Sequence, residues 1–239
     1  MKSVKLGLAV ALVLAALPLV SFAQEAEGVE EAESPFAWSV TATSDYVFRG
    51  ISQTDEGPAL QADFTYTAPS GFYASIWASN VDLAEGGPSV EVDTFIGYNT
   101  DLGDEFVNLD VKLNRYNYLG GNGSDFAYNE VNGTLTFGGV VSVAASYTND
   151  VWASGEDGWY LSAGLSLDLG NDYSLAANIG QNLFDSSVAR DYVDYGVSVS
   201  KAWGDFSASL GYVATSSDGQ DYIGPTAEDR AVLTLTYAR

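Results

Sequence analysis

The chain has 239 residues with no cysteine and no histidine, and its 32 acidic residues against nine basic ones give a formal charge of −23 at pH 7. That balance repels nucleic acid; the missing cysteine removes disulfide staples and thiol catalysis, and the missing imidazole removes serine–histidine machinery. Carboxylate pairs such as Glu91 and Asp93 remain as acid/base candidates, but their spacing makes them successive rungs of one strand face, so the chain reads as a non-enzyme with no cofactor and no metal centre.

In chain order, Met1 to Lys5 form a short basic start, Leu6 to Val20 an apolar run, and Ser21-Phe22-Ala23 a small-residue cleavage site. Residues 1–23 are therefore expected to be a signal peptide. Its removal takes Lys2 and Lys5, leaving seven basic residues against 32 acidic ones and a charge of −25. Residues 24–36 are acidic and aperiodic, the pattern of a flexible segment.

From 37 to 239 the dominant period is two. In the first run Trp38, Val40, Ala42, Tyr46 and Phe48 share one face, and Ser39, Thr41, Thr43, Asp45 and Arg49 the other. Leu60, Ala62, Phe64 and Tyr66 alternate with Gln61, Asp63, Thr65 and Thr67, and similar runs continue to Tyr237. Strands are predicted near 37–49, 58–68, 71–80, 89–99, 105–116, 126–137, 140–149, 158–169, 172–181, 191–201, 205–215 and 229–238. The gaps alternate: long and polar near 50–57, 81–88, 117–125, 150–157, 182–190 and 216–228, short at sites such as Gly138-Gly139 and Gly170-Asn171.

Long external loops opposite short periplasmic turns are the rhythm of outer-membrane barrels. Aromatic residues gather at the run ends, Trp38, Phe72, Tyr98, Trp203, Phe206 and Tyr237 on the periplasmic side and Phe48, Tyr147, Trp152, Trp159 and Tyr212 on the external side, as two interfacial belts require. The expected fold is all-β, a transmembrane antiparallel up-and-down β-barrel of about twelve strands. Strand spacing and tilt give a backbone diameter of roughly 24 Å and a lumen of about 10 Å if nothing fills it.

Ser44-Asp45-Tyr46-Val47-Phe48-Arg49-Gly50-Ile51-Ser52-Gln53 carries a family resemblance, continued through Pro69-Ser70-Gly71-Phe72-Tyr73-Ala74, Trp77-Ala78-Ser79-Asn80-Val81-Asp82, Glu91-Val92-Asp93 and Gly97-Tyr98. Over roughly residues 40–98 the chain resembles the TorF porin family of the proteobacterial outer membrane. The resemblance implies an outer-membrane channel and fixes no substrate. Many such barrels end on an aromatic residue read by the assembly machinery; this chain ends Tyr237-Ala238-Arg239, with Tyr237 as the expected substitute.

On the polar face the alternation places Asp45, Arg49, Asp63, Glu91, Asp93, Asp110, Lys112, Glu130, Asp168 and Asp194 toward a lumen, with Lys201 and Arg230 as further offsets. Asp45 and Arg49, four apart at the external end of the first strand, either set a transverse field in a pore or form an internal ion pair. Two readings of the whole remain open. The first is a cation-preferring porin for passive diffusion of ions and small solutes. The second is a barrel plugged by mutually neutralising groups, whose acidic external loops bind cations or a partner. Expected partners are outer-membrane lipid and lipopolysaccharide, small solutes or cations, and the assembly machinery, with no nucleic acid. Gly120-Gly121-Asn122-Gly123-Ser124-Asp125 matches one copy of a calcium repeat that needs stacked copies, and reads as a loop.

Overall fold

The computed structural model describes residues 34–103 and 106–239. The expected signal peptide, and the acidic segment up to residue 33, lie outside the described residues. Fourteen strands follow in chain order: β1 (Phe36–Thr43), β2 (Val47–Phe48), β3 (Ile51–Ser52), β4 (Ala59–Thr67), β5 (Phe72–Asn80), β6 (Val90–Leu102), β7 (Val107–Leu119), β8 (Tyr128–Phe137), β9 (Val141–Thr148), β10 (Gly158–Gly170), β11 (Tyr173–Phe184), β12 (Tyr192–Trp203), β13 (Phe206–Thr215) and β14 (Arg230–Ala238). A short helix, α1 (Ser217–Ile223), lies between the last two.

All but β2 and β3 close into one antiparallel barrel of twelve strands, sealed where β1 pairs with both β4 and β14. The period-two sequence explains the closure. In β1, Trp38 and Val40 face outward while Ser39, Thr41 and Thr43 are buried inside. The barrel is thus inverted relative to a water-soluble protein. Leu60, Phe72, Ile96 and Leu210 are each more than 60% exposed, and so broad an apolar surface requires lipid. No described helix is long and apolar enough to cross a membrane; the crossing is made by strands.

The short turns fit their sequences. Gly138 and Gly139 both have positive φ (57° and 68°), the geometry a two-residue type I′ hairpin demands. At that rim Tyr237 packs between Trp38 (5.4 Å between ring centres) and Phe206 (4.9 Å), and Phe72 packs on Tyr98. At the opposite rim Tyr147 meets Trp159 at 4.7 Å.

One expectation fails. The first strand does not run to Arg49. It stops at Thr43, opposite Ala59, and residues 44–58 turn into the barrel, with β2 and β3 paired as a miniature hairpin, Val47 to Ser52 and Phe48 to Ile51. Its turn is Arg49-Gly50, at φ 48° and 81°, again type I′. Tyr46 and Phe48, assigned by alternation to the lipid face, lie inside: Tyr46 is 6% exposed in a cluster with Trp77, Phe95, Val81 and Ala59, and Phe48 packs against it. Phe48 is therefore no part of the external belt. Two aromatic side chains gain more from this dry cluster than from an interfacial position.

Candidate functional site

The site is the lumen and the hairpin that crosses it. At the hairpin root, Asp45 is 5% exposed. Its Oδ1 accepts hydrogen bonds from the Ser52 hydroxyl (2.6 Å) and the Thr54 hydroxyl (3.0 Å), and its Oδ2 receives Arg230 Nη1 at 2.9 Å. Arg230, on β14, also donates to the backbone carbonyls of Pro225 and Glu228 at 2.8 Å. One guanidinium therefore ties the root of the hairpin to the external loop that follows α1.

At the tip, Arg49 Nη2 lies 2.8 Å from both Glu130 oxygens on β8, while the guanidinium carbon sits 4.7 Å above the Phe48 ring and 4.3 Å above Tyr160. The Tyr192 hydroxyl donates to the Arg49 carbonyl at 3.0 Å. Gly50 follows in contact with the far wall, where a methyl group would meet Thr215 Cγ2 at 2.5 Å and Asp194 Cβ at 2.9 Å. The hairpin thus spans the lumen from β5 and β6 at its root to β8, β10 and β12 at its tip. Charge-assisted bonds flanked by ring faces make the tip its best-held part.

The predicted lumen residues fall into three groups. Asp45, Arg49, Glu130 and Asp194 meet around the hairpin. Asp45 and Arg49 do not pair with each other; each takes its partner from the opposite chemistry of the wall, Arg230 and Glu130. Asp194 instead accepts from Tyr160 (3.1 Å) and Asn182 (2.9 Å). Glu91 and Asp93 sit on β6 beside the hairpin, 2% and 3% exposed.

Asp63, Asp110 and Lys112 lie nearer the short turns. Asp63 accepts from Ser75 and Thr65, Asp110 from Tyr73 and Asn99, and Lys112 Nζ rests 5.4 Å over Phe95. Asp168 is exposed at the rim, where it accepts the Gly170 amide at 2.7 Å.

Beside the hairpin remains a cavity of about 30 Å³, lined among others by Phe48, Arg49, Asp93, Lys112 and Asn114. That is room for a water molecule or a small ion. Toward the short turns the inward positions of β9 to β13 are small, among them Ser142, Gly164, Ala176, Gly196, Ser198 and Ser209. Most are only half-buried, so the lumen widens into a vestibule on that side.

Alternation alone did not single out the inward tyrosines. Tyr116, Tyr128, Tyr160 and Tyr192 are all buried around the hairpin tip, with Tyr116 stacked on Tyr128 at 4.6 Å and its hydroxyl on Glu130 at 3.2 Å. Their positions on the polar face were the available signal, since a tyrosine there must find both a ring partner and a hydrogen bond.

Residues 29–236 match a family model described as "Bacterial protein of unknown function (Gcw_chp)". The chain belongs to that family. None of the curated proteins compared with it matches in sequence.

Among solved structures it is similar to the KdgM porin (TM-score 0.54, 11% identity, 84% of this chain and 98% of that one). It is also similar to the NanC porin in a rhombohedral crystal form (TM-score 0.54, 10% identity, 85% and 98%). A third similar structure is the KdgM porin in complex with disordered oligogalacturonate (TM-score 0.52, 11% identity, 84% and 97%). At these identities the likeness shows a shared fold, that of outer-membrane porins. A closed twelve-strand barrel with an apolar exterior and a polar lumen is a barrel of the Gram-negative outer membrane.

Proposed function

We propose that this Gcw_chp protein is a narrow, cation-preferring porin for passive diffusion of ions and small solutes, throttled by the inward hairpin of residues 44–58. The observation that supports the preference is the imbalance of lumen charge. Once Asp45 is paired with Arg230 and Arg49 with Glu130, Asp63, Glu91, Asp93, Asp110, Asp168 and Asp194 remain against Lys112 and Lys201. Low-dielectric walls focus such a field and raise the local cation concentration. The TorF resemblance of the hairpin sequence agrees with a channel.

With export directed by residues 1–23, the mature barrel would meet lipopolysaccharide at its external rim and the assembly machinery at its closing strand. It carries out no chemistry of its own. A second reading, a plugged barrel, is favoured by the 30 Å³ size of the cavity beside the hairpin.

The test is single-channel current of the refolded full chain in a planar bilayer under a potassium chloride gradient. Discrete steps with a reversal potential toward potassium are expected. Steps that reverse toward chloride overturn the preference, and a silent bilayer with insertion independently verified establishes the plug.

A further inference from the structure

We infer that Glu91, Asp93 and Asn114 form a binding site for one monovalent cation beside the hairpin. The inference rests on the reading of the lumen as a cation path and names where on that path an ion pauses. Strand pairing sets the residues together: on β6 and β7, Phe95 faces Asn114 and Asp93 faces Tyr116, so Asp93 and Asn114 are diagonal neighbours within side-chain reach. Glu91 is the next rung, facing Tyr118.

All three are nearly sealed from solvent, at 2%, 3% and 2% exposure, and each buries one oxygen with no hydrogen-bond partner: Glu91 Oε2, Asp93 Oδ1 and Asn114 Oδ1. The Asn114 orientation is fixed, because its Nδ2 donates to the Tyr116 hydroxyl at 3.1 Å and that hydroxyl is itself held by Glu130. The amide oxygen is thus left as an acceptor. Asn114 and Asp93 line the same 30 Å³ cavity.

Buried charges are paired or they coordinate an ion. Among the described residues no Lys or Arg forms an ion pair with Glu91 or Asp93. Arg49 borders the cavity, but its charge is answered by Glu130. Lys112 also borders it, with Nζ directed over the Phe95 ring. Lys112 is also drawn to Asp110, so around the cavity the carboxylates outnumber the ammonium.

A cation with oxygen ligands offsets that excess, and three oxygens are fewer than the roughly six to eight that a calcium ion takes.

The experiment uses thallium(I) nitrate as a potassium surrogate, titrated into the refolded full chain in detergent, with tryptophan quenching as the readout. Trp77 pairs with Asp93 across β5 and β6, so the site-specific component is the one lost in Trp77→Phe. That component is expected to saturate, to be reversed by excess potassium, and to vanish in Asp93→Asn but not in Asp168→Asn. Heat-modifiable gel mobility checks that each variant is folded. Lys112→Gln, which keeps both carboxylates and removes the like charge, is expected to tighten thallium binding severalfold.

Quenching that never saturates, or that survives Asp93→Asn, overturns the site. So does the absence of any Trp77-dependent quenching, because a proton shared between the two carboxylates then accounts for the buried oxygens. The bilayer measurement separates the two levels. A cation-preferring pore whose quenching ignores Asp93 loses the site and keeps the porin reading. An Asp93-dependent thallium signal in a barrel without cation preference keeps the site and loses that reading.

Discussion

Replacing Glu130 by glutamine tests what keeps the hairpin across the lumen. The substitution preserves shape and removes the counter-charge of Arg49, whose side chain is 13% exposed against 2% for Glu130. Little water is therefore available to replace the lost partner. Removing one member of a buried pair costs about 3–5 kcal/mol. Here the remaining amide oxygen still accepts one bond and the Phe48 and Tyr160 rings still face the guanidinium, which brings the expected loss to about 2–3 kcal/mol.

At 1.4 kcal/mol per tenfold, the ratio of seated to released hairpin falls by roughly 30- to 150-fold. In single-channel recordings this appears as a larger conductance level, rare in the parent chain and frequent in Glu130→Gln, with no change in heat-modifiable mobility because the barrel wall is untouched. Arg49→Gln should act alike, and the double variant should add little to either, since both remove one interaction. If the larger level is no more frequent in a folded Glu130→Gln barrel, the Arg49–Glu130 pair does not hold the hairpin and the reasoning is refuted.

Asp45→Asn removes the partner of Arg230 at the hairpin root and should expose residues 44–58 to limited proteolysis; unchanged cleavage would show that the Tyr46 cluster alone seats the root. Gly50→Ala places a side chain at φ 81° against Thr215 and Asp194, at a cost of about 1–3 kcal/mol, and should release the hairpin by the same proteolytic measure without lowering the temperature at which the barrel unfolds on gels. Ser198→Trp fills part of the vestibule next to Gly211 and should cut conductance by more than half; an undiminished current would place the ion path elsewhere. Phe206→Ala removes a ring from the Trp38–Tyr237 group and should cost about 1 kcal/mol in urea unfolding from lipid, where no change would argue that this rim sits outside the interface.

The barrel was legible because its two signals are local. Alternation along each strand and the long–short rhythm of the gaps placed all twelve wall strands; the first overran, and β6, β7 and β11 extend three residues beyond expectation. The hairpin was not legible by the same rule. Tyr46 and Phe48 hold outward parity, and parity has meaning only while the strand continues. The contrary signal was Arg49-Gly50 between Val47-Phe48 and Ile51-Ser52, a two-residue turn flanked by strand-forming pairs. The inward charges were placed by parity, but their partners were not: Glu130 is 81 positions from Arg49 and Asp45 is 185 from Arg230. Nothing local in the sequence encodes which lumen acid meets which lumen base.

Those separations also order the assembly of the molecule. The hairpin is made early in the chain, yet the groups that grip it come later: Glu130 and Tyr192, 81 and 143 positions after Arg49, at its tip, and Arg230, next to the seam that β14 makes with β1, at its root. Contacts so distant in sequence form only after the loops between them have closed. The hairpin is therefore held at both root and tip only once β14, which carries Arg230, is in place beside β1. Complete seating of residues 44–58 thus coincides with closure of the wall, a stopper locked as the vessel is sealed.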